Sequence, residues 1–188
     1  MTDEPAILVA VEQLEQLADL DPLVDQLYEL VPAALKQGPL RGLLGGAPLG
    51  HALHPLLTDL PIGFWTSAFV LDLVPGRRTD RVAGAFVALG LASALPTIVT
   101  GLSDWSALQA RPDQRVGVVH AAANAGAFGL YGLSLAARLR GRRRTGIALG
   151  MLGATAATVG GHLGGHLVIS RGAGHEASQH ALAQQPRS

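Results

Sequence analysis

The chain has 188 residues, of which 48% are hydrophobic and only 15% are charged, and its mean hydropathy is +0.31. Soluble domains carry about 25% charged residues, so this composition favours a membrane protein. The formal net charge of zero argues against nucleic-acid binding through a basic surface. Because the chain has no cysteine, it cannot itself supply disulfides, thiolate zinc sites or iron–sulfur cluster ligands.

Residues 1–50 predict an acidic, amphipathic helical arm. The first 35 residues contain eight aspartates or glutamates and no lysine or arginine. Leucines from Leu14 to Leu30 recur at helical spacing, and Asp21-Pro22 is typical of an N-cap followed by the first helical position. We expect two short helices outside the membrane that pack on the end of a helix bundle, since acidic residues are not attracted to an anionic cytoplasmic leaflet.

Four apolar segments follow, each close to the roughly 20 residues that a helix needs to cross a bilayer. They cover residues 54–74, 82–102, 116–137 and 146–170. Short connections make neighbouring helices antiparallel, so the predicted fold is all-α, an integral membrane antiparallel four-helix bundle. The bundle occupies residues 51–172, and residues 173–188 form a flexible C-terminal tail.

The loops between these segments differ in positive charge. Three arginines follow the first segment and five follow the third, whereas only two lie between the second and third. By the positive-inside rule, the arginine-rich loops face the cytoplasm. Both termini then lie on the external side of the bacterial cytoplasmic membrane. Asp72 is expected to form an interfacial ion pair with Arg77 or Arg78, and Trp65 and Trp105 are expected to pack or to lie at the interface.

Polar side chains in each segment recur on one helical face, which predicts a shared polar interior. Antiparallel threading places the intramembrane histidines at the outer end of the bundle. The residues predicted to converge there are His120, His162 and His166, with His54 near the rim, together with His51, Asp59 and Asp104.

Two of these histidines predict a haem site. His120 and His166 lie on different helices at matching depth, as the axial ligands of haem b do. His54 and Asn124 lie on the same polar faces, and Gly165 beside His166 leaves space for a porphyrin.

A metal ion is the alternative, because imidazole suits zinc, copper and iron. The ligands would come from His54, His120, His162, His166, Asp59 and Asp104. A purely structural interpretation also stays open: glycine and alanine at four-residue spacing pack helices closely in lipid, and histidines can simply hydrogen-bond between helices.

Four motifs occur in a characteristic order: HPLLTDLPIG at residues 54–63, GLSDW at 101–105, VHAAAN at 119–124 and GGHL at 164–167. From about residue 20 to 172, the chain resembles a bacterial family of four-helix membrane proteins catalogued as domain of unknown function 2231. His162 lies outside the family's pattern. The resemblance implies a membrane protein whose relatives are sometimes joined to a Rieske iron–sulfur domain, and a partner protein would have to supply any such cluster.

The leading hypothesis is therefore a membrane-embedded electron-transfer protein that holds haem b between His120 and His166. The first alternative is a bundle that binds or conducts a metal ion through the same histidines, and the second is a non-catalytic membrane anchor or assembly subunit. An electron carrier or binding protein is favoured over an enzyme. Its expected partners are the lipid bilayer and a Rieske-type or other redox protein.

Overall fold

A computed structural model describes residues 5–172 of the protein, and the predicted C-terminal tail, residues 173–188, lies outside the described residues. Within 5–172 the chain is helical, with no strand, so the all-α fold class is confirmed. The described α-helices are α1 (Ala6–Gln16), α2 (Asp21–Leu30), α3 (Ala33–Lys36), α4 (Pro39–Leu44), α5 (Leu53–Asp72), α6 (Arg77–Trp105), α7 (Arg111–Leu139) and α8 (Arg143–Gly165). A π-helical turn, His166–Ser170, continues α8.

The arm contains more helices than its leucine spacing predicts. Four short helices, α1 to α4, precede α5, where the sequence indicated two. The start of α2 is close to the prediction, but Asp21 is already the first helical residue and Leu20 takes the cap position without a side-chain cap. Pro22 lies in the first turn, where its missing N–H costs no helical hydrogen bond.

Within residues 5–172, three helices are long and apolar enough to cross a membrane: α6, α7, and α8 together with its π-helical turn, Arg143–Ser170. They contain the second, third and fourth predicted segments. Helix α5 is not among them, although it has 20 residues, because His54, Asp59 and two prolines lower its hydropathy.

The chain divides into two compact units, and the three long helices each contribute to both. Among the described residues, the first unit contains residues 5–53, 99–121 and 161–172. The second unit contains residues 54–98 and 122–160. The boundary separates the predicted site residues, because His54, Asp59 and Asn124 belong to the second unit and the others to the first.

Aromatic stacking organises the core of the second unit. The ring of Trp65 stacks on Tyr131 with 4.1 Å between ring centroids and 11° between planes. Small residues make this possible, since a Cβ added at Gly90 would lie 2.2 Å from Trp65 Nε1. Trp65 is therefore a packing residue, one of the two roles expected for it.

A buried arginine joins the charged helix ends of the second unit. Arg138, near the end of α7, donates to Asp72 Oδ1 at 2.9 Å and Oδ2 at 2.5 Å, and to Asp80 Oδ1 at 2.9 Å. The Arg138 side chain is only 4% exposed, and Arg143 adds an ion pair with Asp80 at 3.5 Å. Asp72 does form an ion pair at this end, but its partner is Arg138 rather than the predicted Arg77 or Arg78.

Replacing Arg138 by alanine should lower the free energy of unfolding by about 3 kcal/mol, because Asp72 then stays buried without its cation and Asp80 keeps only the longer contact with Arg143. SDS titration in mixed micelles measures this difference. The control is Arg142→Ala, which removes an exposed arginine nearby and should change the free energy by no more than about 0.5 kcal/mol. If Arg138→Ala and Arg142→Ala lowered the free energy of unfolding by the same amount, the buried ion pairs would not stabilise the unit.

Candidate functional site

Glu15 of α1 binds two side chains from the end of α8 in the first unit. His166 Nε2 lies 2.8 Å from Glu15 Oε1, and the Arg171 guanidinium donates to both carboxylate oxygens. Arg171 also pairs with Asp113 at 3.3 Å. The π-helical turn carries His166 and closes with a hydrogen bond from Arg171 N–H to the His166 carbonyl at 3.2 Å. A carboxylate of the arm thus holds the histidine predicted to bind a cofactor.

Two arginines near the start of α7 hold α2 in the same unit. Arg115 donates from Nε and Nη2 to the two carboxylate oxygens of Asp21, both at 2.8 Å, and from Nη1 to the Glu15 carbonyl. Arg111 pairs with Asp25 at 2.7 Å in a more exposed position. The acidic residues of the arm are therefore used to dock it, which agrees with the expectation that it packs on helix ends.

These ion pairs affect the acidity of the arm. Partial burial raises the pKa of Glu15, but hydrogen bonds and charge from His166 and Arg171 outweigh it and hold the pKa below its usual value. Hydrogen bonds from Arg115 likewise lower the pKa of Asp21. A carboxyl group with a lowered pKa in the folded state stabilises that state above its unfolded pKa and ceases to do so as the pH falls through the folded value.

Acid should therefore release the end of α1. A spin label on a cysteine introduced at the exposed Gln13 would report this, and the chain has no other cysteine. We expect an immobile label at neutral pH and a mobile label once the pH falls below the normal glutamate range, about 4.5.

The variant Glu15→Gln tests the cause, because it removes the charge but keeps the size of the side chain. Its label should be more mobile than that of the parent protein at neutral pH and should change less on acidification. A parent label that stays immobile throughout, or a Glu15→Gln profile that matches the parent, would contradict the assignment.

His120 packs directly on the backbone of α8. A Cβ added at Gly164 would lie 2.8 Å from His120 Cε1, whereas a Cβ at Gly165 would have no neighbour within 4 Å. Gly164 therefore makes room at this histidine, and the room is filled by the His120 ring. The role of Gly165 as space for a porphyrin stays a prediction. In the second unit, Asn124 occupies a similar notch, since a Cβ at Gly160 would lie 2.5 Å from its Nδ2.

Two glycine-to-alanine variants in one helix can test this contact. Gly164→Ala should lower the free energy of unfolding by about 1–3 kcal/mol, because the imidazole or the helix must move. Gly161→Ala places the same methyl group where no atom lies within 4 Å and should be neutral or stabilise by up to about 1 kcal/mol. Equal effects in SDS titration would show that His120 does not need this notch.

The described geometry does not present His120 and His166 to one haem iron. His120 faces α8 at Gly164, and residues two apart on a helix point about 160° away from each other, so His166 leaves α8 on nearly the opposite side. There its Nε2 bonds to Glu15, which leaves only Nδ1 as a ligating nitrogen. This arrangement gives no support to a haem held by that pair, which stays a prediction.

The candidate metal ligands are also dispersed. Among residues 5–172, no group of three or more His, Cys, Asp or Glu side chains could hold a metal ion. His162 and Asp59 are exposed, and Asp104 is partly buried in the first unit. In the second unit, His54 Nδ1 donates to the Thr97 carbonyl at 2.9 Å, which puts the lone pair of a neutral ring on Nε2.

The residues missed by sequence reasoning are Glu15, Arg115 and Arg171. They are separated along the chain by more than 90 residues from the groups that they bind, namely His166 for Glu15 and Asp21 for Arg115. The available signal was charge balance: the first 35 residues have no lysine or arginine, so their carboxylates require cations from elsewhere, and few cations lie outside the two arginine-rich loops.

With this geometry established, comparison with known proteins identifies the family. The family model described as "Predicted membrane protein (DUF2231)" matches residues 50–177. The chain belongs to this family. The match covers the motifs at residues 54–63, 101–105, 119–124 and 164–167, and leaves most of the arm outside it. No curated protein and no solved structure matched the chain.

Proposed function

We propose that this member of the family crosses the bacterial cytoplasmic membrane four times, with α5 as the first span in chain order and α6, α7 and α8 as the other three. Both termini would then lie on the external side. The 20 residues of α5 extend about 30 Å, which matches the hydrocarbon core of a bilayer. The helix ends joined by Arg138 adjoin both arginine-rich loops, as expected for a cytoplasmic end.

Exposed leucines on the arm are the observation from which we infer a function. Val24 of α2 is buried among Val31, Trp105 and Leu108, whereas Leu23 and Leu30 point outward and are 50% and 72% exposed. Leucines on α4 and beside it are exposed as well, namely Leu40, Leu43 and Leu49. These residues lie outside the candidate spans. Leu23 and Leu30 are seven residues apart and so share one face of α2, and an exposed apolar face marks a place where another molecule binds.

The acidity of the arm favours a protein over lipid as that molecule. Glu29 is exposed on the same helix as Leu23 and Leu30 and forms no ion pair within residues 5–172, so an anionic leaflet would repel its charge. We infer that the protein is a membrane anchor subunit that holds a soluble redox protein against its arm. The class of partner comes from the family resemblance, which associates such bundles with Rieske domains, and the partner would carry basic residues around an apolar patch.

Co-expression with the Rieske-type protein of the same bacterium tests the anchor function. The two proteins should elute together in mild detergent, with the iron–sulfur EPR signal in the same fraction. Leu23→Asp combined with Leu30→Asp should weaken the complex at least about tenfold, because the apolar contact is lost and negative charge is added. The control, Gln26→Asp, adds one negative charge at an exposed polar position of α2, removes no apolar side chain and should retain the complex.

Separate elution of the two proteins, or equal effects of the leucine variants and the control, would overturn this function. The visible spectrum of the chain purified alone, before and after dithionite reduction, distinguishes the main alternative. A colourless, metal-free protein agrees with an anchor, whereas a reducible haem spectrum would make the chain itself the electron carrier.

A redox carrier remains the second candidate because of His54. Histidines that bind metals usually donate a hydrogen bond from the ring nitrogen that is not a ligand, as His54 Nδ1 does to the Thr97 carbonyl. The neutral ring is then in the tautomer whose Nε2 could bind a metal. Haem b with His120 and His166 as ligands stays a prediction, as does a zinc, copper or iron ion. A retained cofactor lost specifically in His54→Ala would support His54 as a ligand.

A further inference from the structure

The acidic groups at the Arg138 end of the second unit are already neutralised within the fold. Arg138 and Arg143 lie against Asp72 and Asp80, so two positive charges balance two negative ones. The aspartate side chains are largely covered, 8% exposed for Asp72 and 21% for Asp80. Neither carboxylate therefore presents a substantial negative charge to the exterior.

Outside this cluster, the same helix ends carry a set of exposed arginines. None of them forms an ion pair within residues 5–172, where the ion-paired arginines are five others. The set, which we call the arginine rim, consists of Arg77, Arg78, Arg81, Arg140, Arg142 and Arg144. The contacts of Arg138 with Asp72 and Asp80 bring the loops that carry these arginines to one end of the unit.

Guanidinium groups are suited to one ligand chemistry. The planar guanidinium group of arginine binds two phosphate oxygens at once, and the two loops that carry the arginine rim contain no lysine. The first turns of α6 and α8 also lie here, and the positive ends of their helix dipoles add to the attraction for an anion. The chemistry recognised at this end is therefore a phosphate group.

Apolar side chains beside the arginine rim indicate where the phosphate comes from. Leu139, between Arg138 and Arg140 in sequence, is 80% exposed, and Leu73 and Val74 are exposed where α5 ends. Free phosphate would leave these side chains in water, whereas a phospholipid would cover them with its acyl chains. We propose that the arginine rim binds anionic phospholipids, such as phosphatidylglycerol or cardiolipin, by their phosphates. This inference rests on the four-span topology but not on the anchor function, so failure of the partner experiment would not affect it.

Lipid-dependent thermal stability of the full chain in detergent tests the proposal. Added cardiolipin or phosphatidylglycerol should raise the unfolding midpoint more than phosphatidylcholine does, and salt should reduce the difference. The variant Arg140→Gln/Arg142→Gln/Arg144→Gln should lose most of the anionic-lipid shift. The matched lysine variant at the same three positions keeps the charge without the fork and should retain part of it.

The second loop and free phosphate supply the remaining controls. If the triple glutamine variant does not fold, Arg77→Gln/Arg78→Gln should still reduce the shift. Inorganic phosphate at the same concentration should have little effect, and an equal shift would identify a free-phosphate site instead. Equal stabilisation by anionic lipid and phosphatidylcholine, or an unchanged shift in both glutamine variants, would overturn the proposal.

Discussion

The described structure depends on pairing charges that its apolar helices remove from water. A buried charge costs several kcal/mol unless an opposite charge and hydrogen bonds accompany it. Arg138 meets this requirement in the second unit by joining Asp72 and Asp80, and Glu15 meets it in the first by binding His166 and Arg171. The helix ends and the arm are held where these pairs form.

The two kinds of charged residue serve different purposes. Aspartates and glutamates are mostly used inside the units, as Asp21 is on Arg115. The arginines of the rim exceed the number of acids available to them and stay exposed. Although the formal net charge of the sequence is zero, the second unit therefore has a strongly basic surface at the end that carries the arginine rim. The composition alone does not reveal this surface.

Sequence periodicity predicted those features that depend on a single helix and its own residues. The helical content, the limits of three apolar segments and the start of α2 near Asp21 follow from local spacing and proline placement. The facing of His120 and His166 does not, because each histidine has a definite phase on its own helix but the rotation of one helix against another is set by packing. His120 packs at Gly164, two residues before His166, so His166 leaves α8 in another direction and contacts Glu15 instead.

The π-helical turn after α8 makes the contacts with Glu15 depend on the number of residues between His166 and Arg171. Residues 166 and 171 are five apart, and in a regular α-helix they would point about 140° away from each other. The wider π-helical turn brings both side chains to the same carboxylate of Glu15. The intervening residues Leu167 to Ser170 can thus vary in identity more readily than in number, because losing one of them would rotate Arg171 away from the arm.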